Sequence, residues 1–184
     1  VQVGLHRRSS QQYSQLGELV QGGKIGKVTL ARAYRVSNMD PKGIGKCAPS
    51  QPPKSLDWDM WLGPRAMRPY QDNITPYKFR WWQSYSSQVG NWGVHYFDAI
   101  RWVLGQTAPM SVCAYGGKYV IDDDRTIPDT LEVTFEMPGG QLLVFGQYEA
   151  SGVPPLGNAE IELCGTLGNL ISRTGANGYD IIPS

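Results

Sequence analysis

Hydrophobic positions recur at helical spacing in two stretches of this chain and alternate in several others. Tyr13, Leu16, Leu19 and Val20 give an apolar stripe to residues 12–21, and Gly22-Gly23 follow where a helix stops. Ser9 or Ser10 stands where a hydroxyl can cap that helix. A second helix is predicted from near Asn91 to Gly105, because Asn accepts from first-turn amides and Gly tolerates the left-handed closing residue. At ~100° per residue, Phe97, Ile100 and Leu104 share one side, with Val94 at its edge. Strands are predicted over residues 1–5, 28–36, 110–121 (bulged at Gly116-Gly117), 130–137, 141–150, 159–164, 169–173 and 179–182. The clearest alternation sets Leu131, Val133, Phe135 and Met137 against Glu132, Thr134 and Glu136. Turns are read at Pro138-Gly-Gly140 and Gly165-Thr-Leu-Gly168. Together these predict an α+β domain: a mainly antiparallel open sheet of five to seven strands with helices packed on one face.

Residues 37–77 break the pattern. They are rich in Pro and Gly and poorly periodic, which marks a functional or linking segment. Trp58-Asp-Met-Trp61-Leu-Gly-Pro64 argues for an ordered piece within it, since Trp is costly to leave in water. Gly43-Ile-Gly-Lys-Cys-Ala48 has the spacing of a dinucleotide fingerprint, yet no strand feeds it and no helix follows, so a pyrophosphate would lack its helix N-terminus. Asn73-Ile-Thr75 matches a glycosylation sequon, which carries little weight without a secretory context. Asp122-Asp-Asp-Arg125 reads as a solvated loop.

The 184 residues suffice for one buried core, and a net charge of +1 gives no reason to expect nucleic acid or an anionic membrane as partner. No apolar run reaches the ~18 residues of a membrane span. Cys47, Cys113 and Cys164 fit neither a zinc spacing nor a disulfide framework, so a cytoplasmic setting and no metal are expected. Ten Tyr and six Trp suit a core, and equally stacking against a sugar or a nicotinamide ring. The chain opens on Val1 and closes on a strand-like Tyr179-Asp-Ile-Ile-Pro-Ser184. It reads as cut from something longer.

The candidate chemistry lies on the second helix. Asn91, His95, Asp98 and Trp102 fall within a sector of roughly 60°, so an amide, an imidazole, a carboxylate and an indole can converge. Asp98 can orient His95 for proton transfer near neutral pH. The same spacing also serves a histidine that merely packs. His6, Arg7 and Arg8 occupy a strand-to-helix corner that either projects into a cleft or stays solvated. Arg80 can bind a carboxylate, a phosphate or a hydroxyl. A hydrolase is disfavoured, because no Gly-x-Ser-x-Gly accompanies His95.

Four pieces carry a resemblance. They are Val1-Gln-Val-Gly-Leu-His-Arg-Arg8 with the later Gly23-Lys-Ile-Gly-Lys-Val28; Leu56-Asp-Trp-Asp-Met-Trp-Leu-Gly-Pro64; Tyr77-Lys-Phe-Arg-Trp81 with Asn91-Trp-Gly-Val-His-Tyr-Phe-Asp98; and Cys164-Gly-Thr-Leu-Gly-Asn-Leu170. Together they resemble the C-terminal, substrate and oligomerisation domain of the Gfo/Idh/MocA family of NAD(P)-dependent oxidoreductases, over nearly the whole chain. The resemblance implies a single domain over residues 1–184, with residues 1–10 as the exit from an N-terminal nucleotide-binding domain. It implies NAD or NADP in the intact protein, with none held by this chain alone. It also implies a sugar, polyol or related substrate and a homo-oligomer formed through the sheet face. His95 would then help move the proton of the reacting hydroxyl, oriented by Asp98. Asn91, Arg80, Trp92, Trp102, His6 and Arg7 would line the substrate pocket. Three features depart from the family pattern: the catalytic Glu-Lys-Pro lysine does not occur, Asn91 stands where Asp is frequent, and His6 stands where Gln is common. The other reading is a sugar-binding or assembly module derived from the same family that does not catalyse.

Overall fold

The alternating segments pair into one seven-stranded sheet. The computed structural model describes residues 3–152, 159–173 and 178–184. The strands are β1 (Val28–Val36), β2 (Ser111–Gly117), β3 (Thr130–Glu136), β4 (Leu142–Tyr148), β5 (Ala159–Gly165), β6 (Gly168–Arg173) and β7 (Tyr179–Pro183). Their order across the sheet is β2-β3-β4-β1-β5-β6-β7. Only β1 and β4 run parallel; every other neighbouring pair is antiparallel. Of the strand expected over residues 1–5, Val1 and Gln2 lie outside the described residues, and Val3 to Leu5 form no strand. A 3-10 turn, His6–Ser9, follows instead. The strand expected over 110–121 ends at Gly117, and its pairing with β3 is unbroken, with no bulge.

One sheet face is covered. Helices α1 (Gln11–Gln21) and α3 (Val94–Leu104) share a core with the inward residues of β1, β4 and β5, among them Ala31, Ala33, Leu143, Phe145 and Leu163. Phe97 meets Phe135 and Phe145 edge-on, with ring centroids 4.7 and 5.5 Å apart. The buried face of α3 is Tyr96, Ala99, Ile100 and Val103, rotated from the predicted stripe, and Val94 is exposed. The rotation arises because α1 packs beside α3, so α3 must cover a helix as well as the sheet. Gly105 closes α3 in the left-handed conformation, as expected.

The opposite face lacks a covering layer among the described residues. It carries Arg32 paired with Glu162, and Tyr34 stacked on Tyr148, whose hydroxyl donates to Glu132 at 2.6 Å.

Residues 37–85 are not a loose linker. Ile44, Trp58, Leu62, Tyr70, Ile74, Trp81, Trp82 and Ile127 form a second apolar cluster. Within it, α2 (Trp58–Leu62) is capped by Asp57, which accepts from the Met60 amide at 2.9 Å.

The expectation of a solvated 122–125 loop holds for Asp122, which is exposed, and is overturned for Asp123 and Arg125. Asp123 and Arg125 are 3% exposed, and Glu149 is fully buried. Arg125 donates through Nε to both Asp123 oxygens, at 2.9 and 3.0 Å, and through Nη1 to Glu149 at 2.6 Å. Trp81, Gln88 and Gln147 also donate to Glu149. Burial without partners would be prohibitive for such charges, and here each carboxylate is satisfied several times over. The network ties the second cluster to the end of β4. Asn73 of the sequon is fully buried, with its amide donating to the Gly45 carbonyl and to Asp124, so it presents no glycosylation site in this fold.

Candidate functional site

The helix carrying His95 does not begin on an Asn cap. Residues Val89–Gly93 form a π-helical turn that runs straight into α3. The Asn91 amide donates to the Ser87 carbonyl, and its side-chain oxygen accepts from Arg80 Nε at 3.0 Å. Ser87 Oγ takes the Gly90 amide instead. Two glycines, Gly90 and Gly93, fall in this turn. At Gly93 a Cβ would lie 3.0 Å from the Phe97 ring, so that position is tightly packed. Wide turns of this kind frequently mark functional positions.

Two 3-10 turns bring side chains onto the helix. His6–Ser9 lies along α3, with its basic residues spread over that helix and its surroundings. The His6 and His95 rings stand 4.9 Å apart, tilted by 56°. The Arg7 guanidinium sits 4.7 Å from the Tyr96 ring centroid, and Arg8 sits 5.4 Å from that of Trp102. Lys78–Trp81 delivers Arg80, which also donates to the Tyr77 carbonyl and lies 3.8 Å from the Tyr77 ring centroid. From β1, Arg35 lies 4.3 Å from the Trp92 ring centroid, and Trp92 stacks toward Tyr96.

Three expectations change. Asp98 does not hydrogen-bond His95: both of its oxygens accept from Arg8, at 2.7 to 3.0 Å. Arg8 outcompetes the imidazole because a guanidinium matches a carboxylate in two parallel bonds. Arg7 is turned inward and 5% exposed, donating to Glu160, which also accepts from the Tyr13 hydroxyl. That places Arg7 in the joint between α1, β5 and the 3-10 turn. Trp102 is covered by Arg8, on the Asp98 side of the helix.

Asn91, bonded to Arg80, and Trp92 lie on the π-helical turn, and His95, with His6 in ring contact, follows in the first turn of α3. His95 is half-buried, and its Nδ1 has no hydrogen-bond partner among the described residues. Burial first, and then the neighbouring His6 and Arg7, hold its pKa below the ordinary value of 6.5, while Asp98 pulls weakly the other way. The lowered pKa favours the neutral ring, which can accept a proton. Arg35 joins this group without having been anticipated. The alternation of β1 places it on the helix-facing side, but nothing local marks that it would cover Trp92.

Residues 43–48 do not fit a dinucleotide pyrophosphate. At the 43–48 fingerprint, the Ile44 and Cys47 amides that would cradle phosphate donate to the Asp123 and Asp124 carboxylates, at 2.7 and 2.8 Å. A pyrophosphate there would meet two negative charges. Among the described residues no group of three or more His, Cys, Asp or Glu could hold a metal ion, and no helix is long and apolar enough to cross a membrane.

Comparison with known proteins supplies the wider frame. Residues 16–147 match the oxidoreductase family, C-terminal alpha/beta domain, of the Gfo/Idh/MocA group. A search of curated protein sequences gave no match. Three solved structures illustrate the shared fold. The WlbA dehydrogenase from Bordetella pertussis, described in complex with NADH and UDP-GlcNAcA, is 14% identical with a TM-score of 0.62, over 98% of this chain and 46% of its own. An oxidoreductase domain protein from Kribbella flavida is 19% identical with a TM-score of 0.61, again over 98% and 46%. The super-repressor mutant of Gal80p from Saccharomyces cerevisiae is 13% identical with a TM-score of 0.59, over 98% and 45%. This chain thus spans less than half the length of each of these proteins.

Proposed function

Because this chain belongs to the Gfo/Idh/MocA oxidoreductase family, as its C-terminal alpha/beta domain, we propose that it is the substrate-side domain of an NAD(P)-dependent oxidoreductase. The substrate is a sugar, a polyol or a related compound. Residues 1–184 form that one domain, with residues 1–10 leading from a nucleotide-binding domain in the complete protein. The observation that carries the reading is His95: a half-buried imidazole with an unpartnered Nδ1 in the first turn of α3, directly after the π-helical turn that holds the Asn91–Arg80 pair.

His95 accepts the proton of the reacting hydroxyl, and His6, in ring contact with it, borders the same site. Asn91 and Arg80, already bonded to each other, position neighbouring hydroxyls, and Trp92 walls the sugar's apolar face. Asp98, Arg7 and Trp102 act at one remove, holding the 3-10 turn and α3 together. Hydride chemistry belongs to the cofactor half of the complete protein, and no step of it is assigned to this chain. The uncovered sheet face is the surface through which copies associate.

The test is His95→Ala in the complete enzyme, assayed with NAD and NADP against a panel of sugars and polyols. Turnover falls by about 10²-fold or more if His95 moves the proton. Unchanged turnover removes His95 from the mechanism. A second reading, a sugar-binding or assembly module without catalysis, draws on the engagement of Asp98 by Arg8 and of Asn91 by Arg80, and on a fold shared with a protein described as a super-repressor. It expects no turnover in wild-type protein with any of these substrates.

A further inference from the structure

The geometry points to a second ligand site, for a polyhydroxy compound bearing a phosphate or carboxylate, in the cleft between residues 65–90 and the start of β3. The cleft measures about 650 Å³ and shares Gln83, Ser84 and Thr126 with an adjoining depression of about 410 Å³. Arg65 lines the first and Arg68 the second.

Both guanidiniums lie over aromatic rings and have no carboxylate partner among the described residues. Arg65 lies 4.9 Å from the Tyr85 ring centroid and Arg68 lies 4.4 Å from that of Trp82. Arg65 donates to the Ser84 carbonyl and Arg68 to the Gln71 side-chain oxygen, both uncharged acceptors. Among the described residues no Asp or Glu lines either depression. Stacking on a ring orders the fork and leaves its charge available. Four other arginines, Arg7, Arg8, Arg32 and Arg125, each face a carboxylate instead.

Two hydroxyls of the cleft are also set as donors, whereas Ser86 Oγ already donates to the Ser87 carbonyl. Ser87 Oγ accepts from the Gly90 amide at 3.0 Å, and Thr126 Oγ1 accepts from the Gln83 amide at 2.7 Å. Each hydroxyl hydrogen is then left to point at a ligand. A lining of two planar cations and donor hydroxyls, with no anion, complements the oxygens of a phosphate or carboxylate, which guanidinium binds in two parallel bonds. The volume suits a monosaccharide-sized compound carrying that group. Gly90 belongs to the π-helical turn that presents Asn91 and Trp92, so a ligand in the cleft touches the same turn from another side. The site does not depend on proton transfer by His95, and a protein without turnover would keep it.

Titration calorimetry on the complete protein tests this, with glucose 6-phosphate, glucuronate, glucose and inorganic phosphate as probes. One of the two anionic sugars binds at least about tenfold more tightly than glucose, and which one identifies the anion. Arg65→Met with Arg68→Met removes that preference by a similar factor, and His95→Ala leaves it unchanged. Should the double variant unfold, Ser84→Asp places a carboxylate in the exposed middle of the cleft and abolishes the preference in a protein that still melts like wild type. Equal affinity for glucose and both anions overturns the proposal. So does wild-type binding by the Arg65/Arg68 or Ser84→Asp variants, or loss of binding in His95→Ala. Inorganic phosphate binding alone, without either sugar, overturns it as well.

Discussion

Replacing Gly43 by Ala tests how residues 40–48 are held. Gly43 has φ of +53°, and a Cβ built on it would lie 2.0 Å from Asp123 Oδ2 and 2.6 Å from Ile121 Cγ2. Gly45, two residues on, has φ of +81° with nothing within 4 Å of the corresponding Cβ. Both substitutions incur the left-handed penalty of roughly 1–2 kcal/mol. Only Gly43→Ala must also displace the Asp123 carboxylate. That carboxylate accepts from the Ile44 amide at 2.7 Å and pairs with buried Arg125. Losing the charged amide bond costs about 1.5–3 kcal/mol, and disrupting the ion pair as well raises the loss toward about 5. Gly43→Ala is therefore less stable than Gly45→Ala by about 3 kcal/mol, which at this chain length separates their melting temperatures by roughly 6–12 °C. Urea unfolding followed by tryptophan fluorescence reads the difference. Variants within about 1 kcal/mol of each other would refute the docking of this turn on Asp123, and with it the reason given for excluding a pyrophosphate there.

Two further outcomes follow from the core and from the uncovered sheet face. Tyr13 is buried, and burial first, then the Glu160 carboxylate that accepts its proton, push its pKa from 10.0 up to about 12. The folded state then holds a proton that the unfolded state releases, so stability falls as pH rises from 10 through 12, by roughly 2–3 kcal/mol. Tyr13→Phe is less stable at neutral pH and flatter over that alkaline window in pH-dependent denaturation; an equal slope in both proteins removes Tyr13 as the cause. On the other sheet face, Val144→Arg sets a second cation beside Arg32, its partner in the β1–β4 register. If that face joins copies, light scattering shows an associated wild type and a dissociated variant of unchanged melting temperature, whereas a wild type that is monomeric at high concentration rules the interface out.

What the sequence determined by itself was the set of local elements. The β3 alternation, the α1 stripe and Gly105 each depend on neighbours within a turn or a strand repeat, so their periods survive in the chain as written. The family resemblance was legible for the same reason, resting on short runs such as residues 91–98. Tertiary structure decided the partners. Arg8 reaches Asp98 across 90 residues, and Arg125 reaches Glu149 across 24. Within Asp122-Asp-Asp-Arg125, nothing within four residues reveals that Asp123 and Arg125 are buried beside Glu149 while Asp122 stays exposed. The rotation of the buried face of α3 toward α1 and the π-helical start at Val89 likewise depend on packing against other elements, which a helical wheel omits. Arg65 and Arg68 lay in a stretch with no period to read, and only the folded chain sets them on Tyr85 and Trp82. Local periodicity is written in the order of residues, whereas the choice of charge partner is settled by which desolvated groups the fold brings within hydrogen-bond reach.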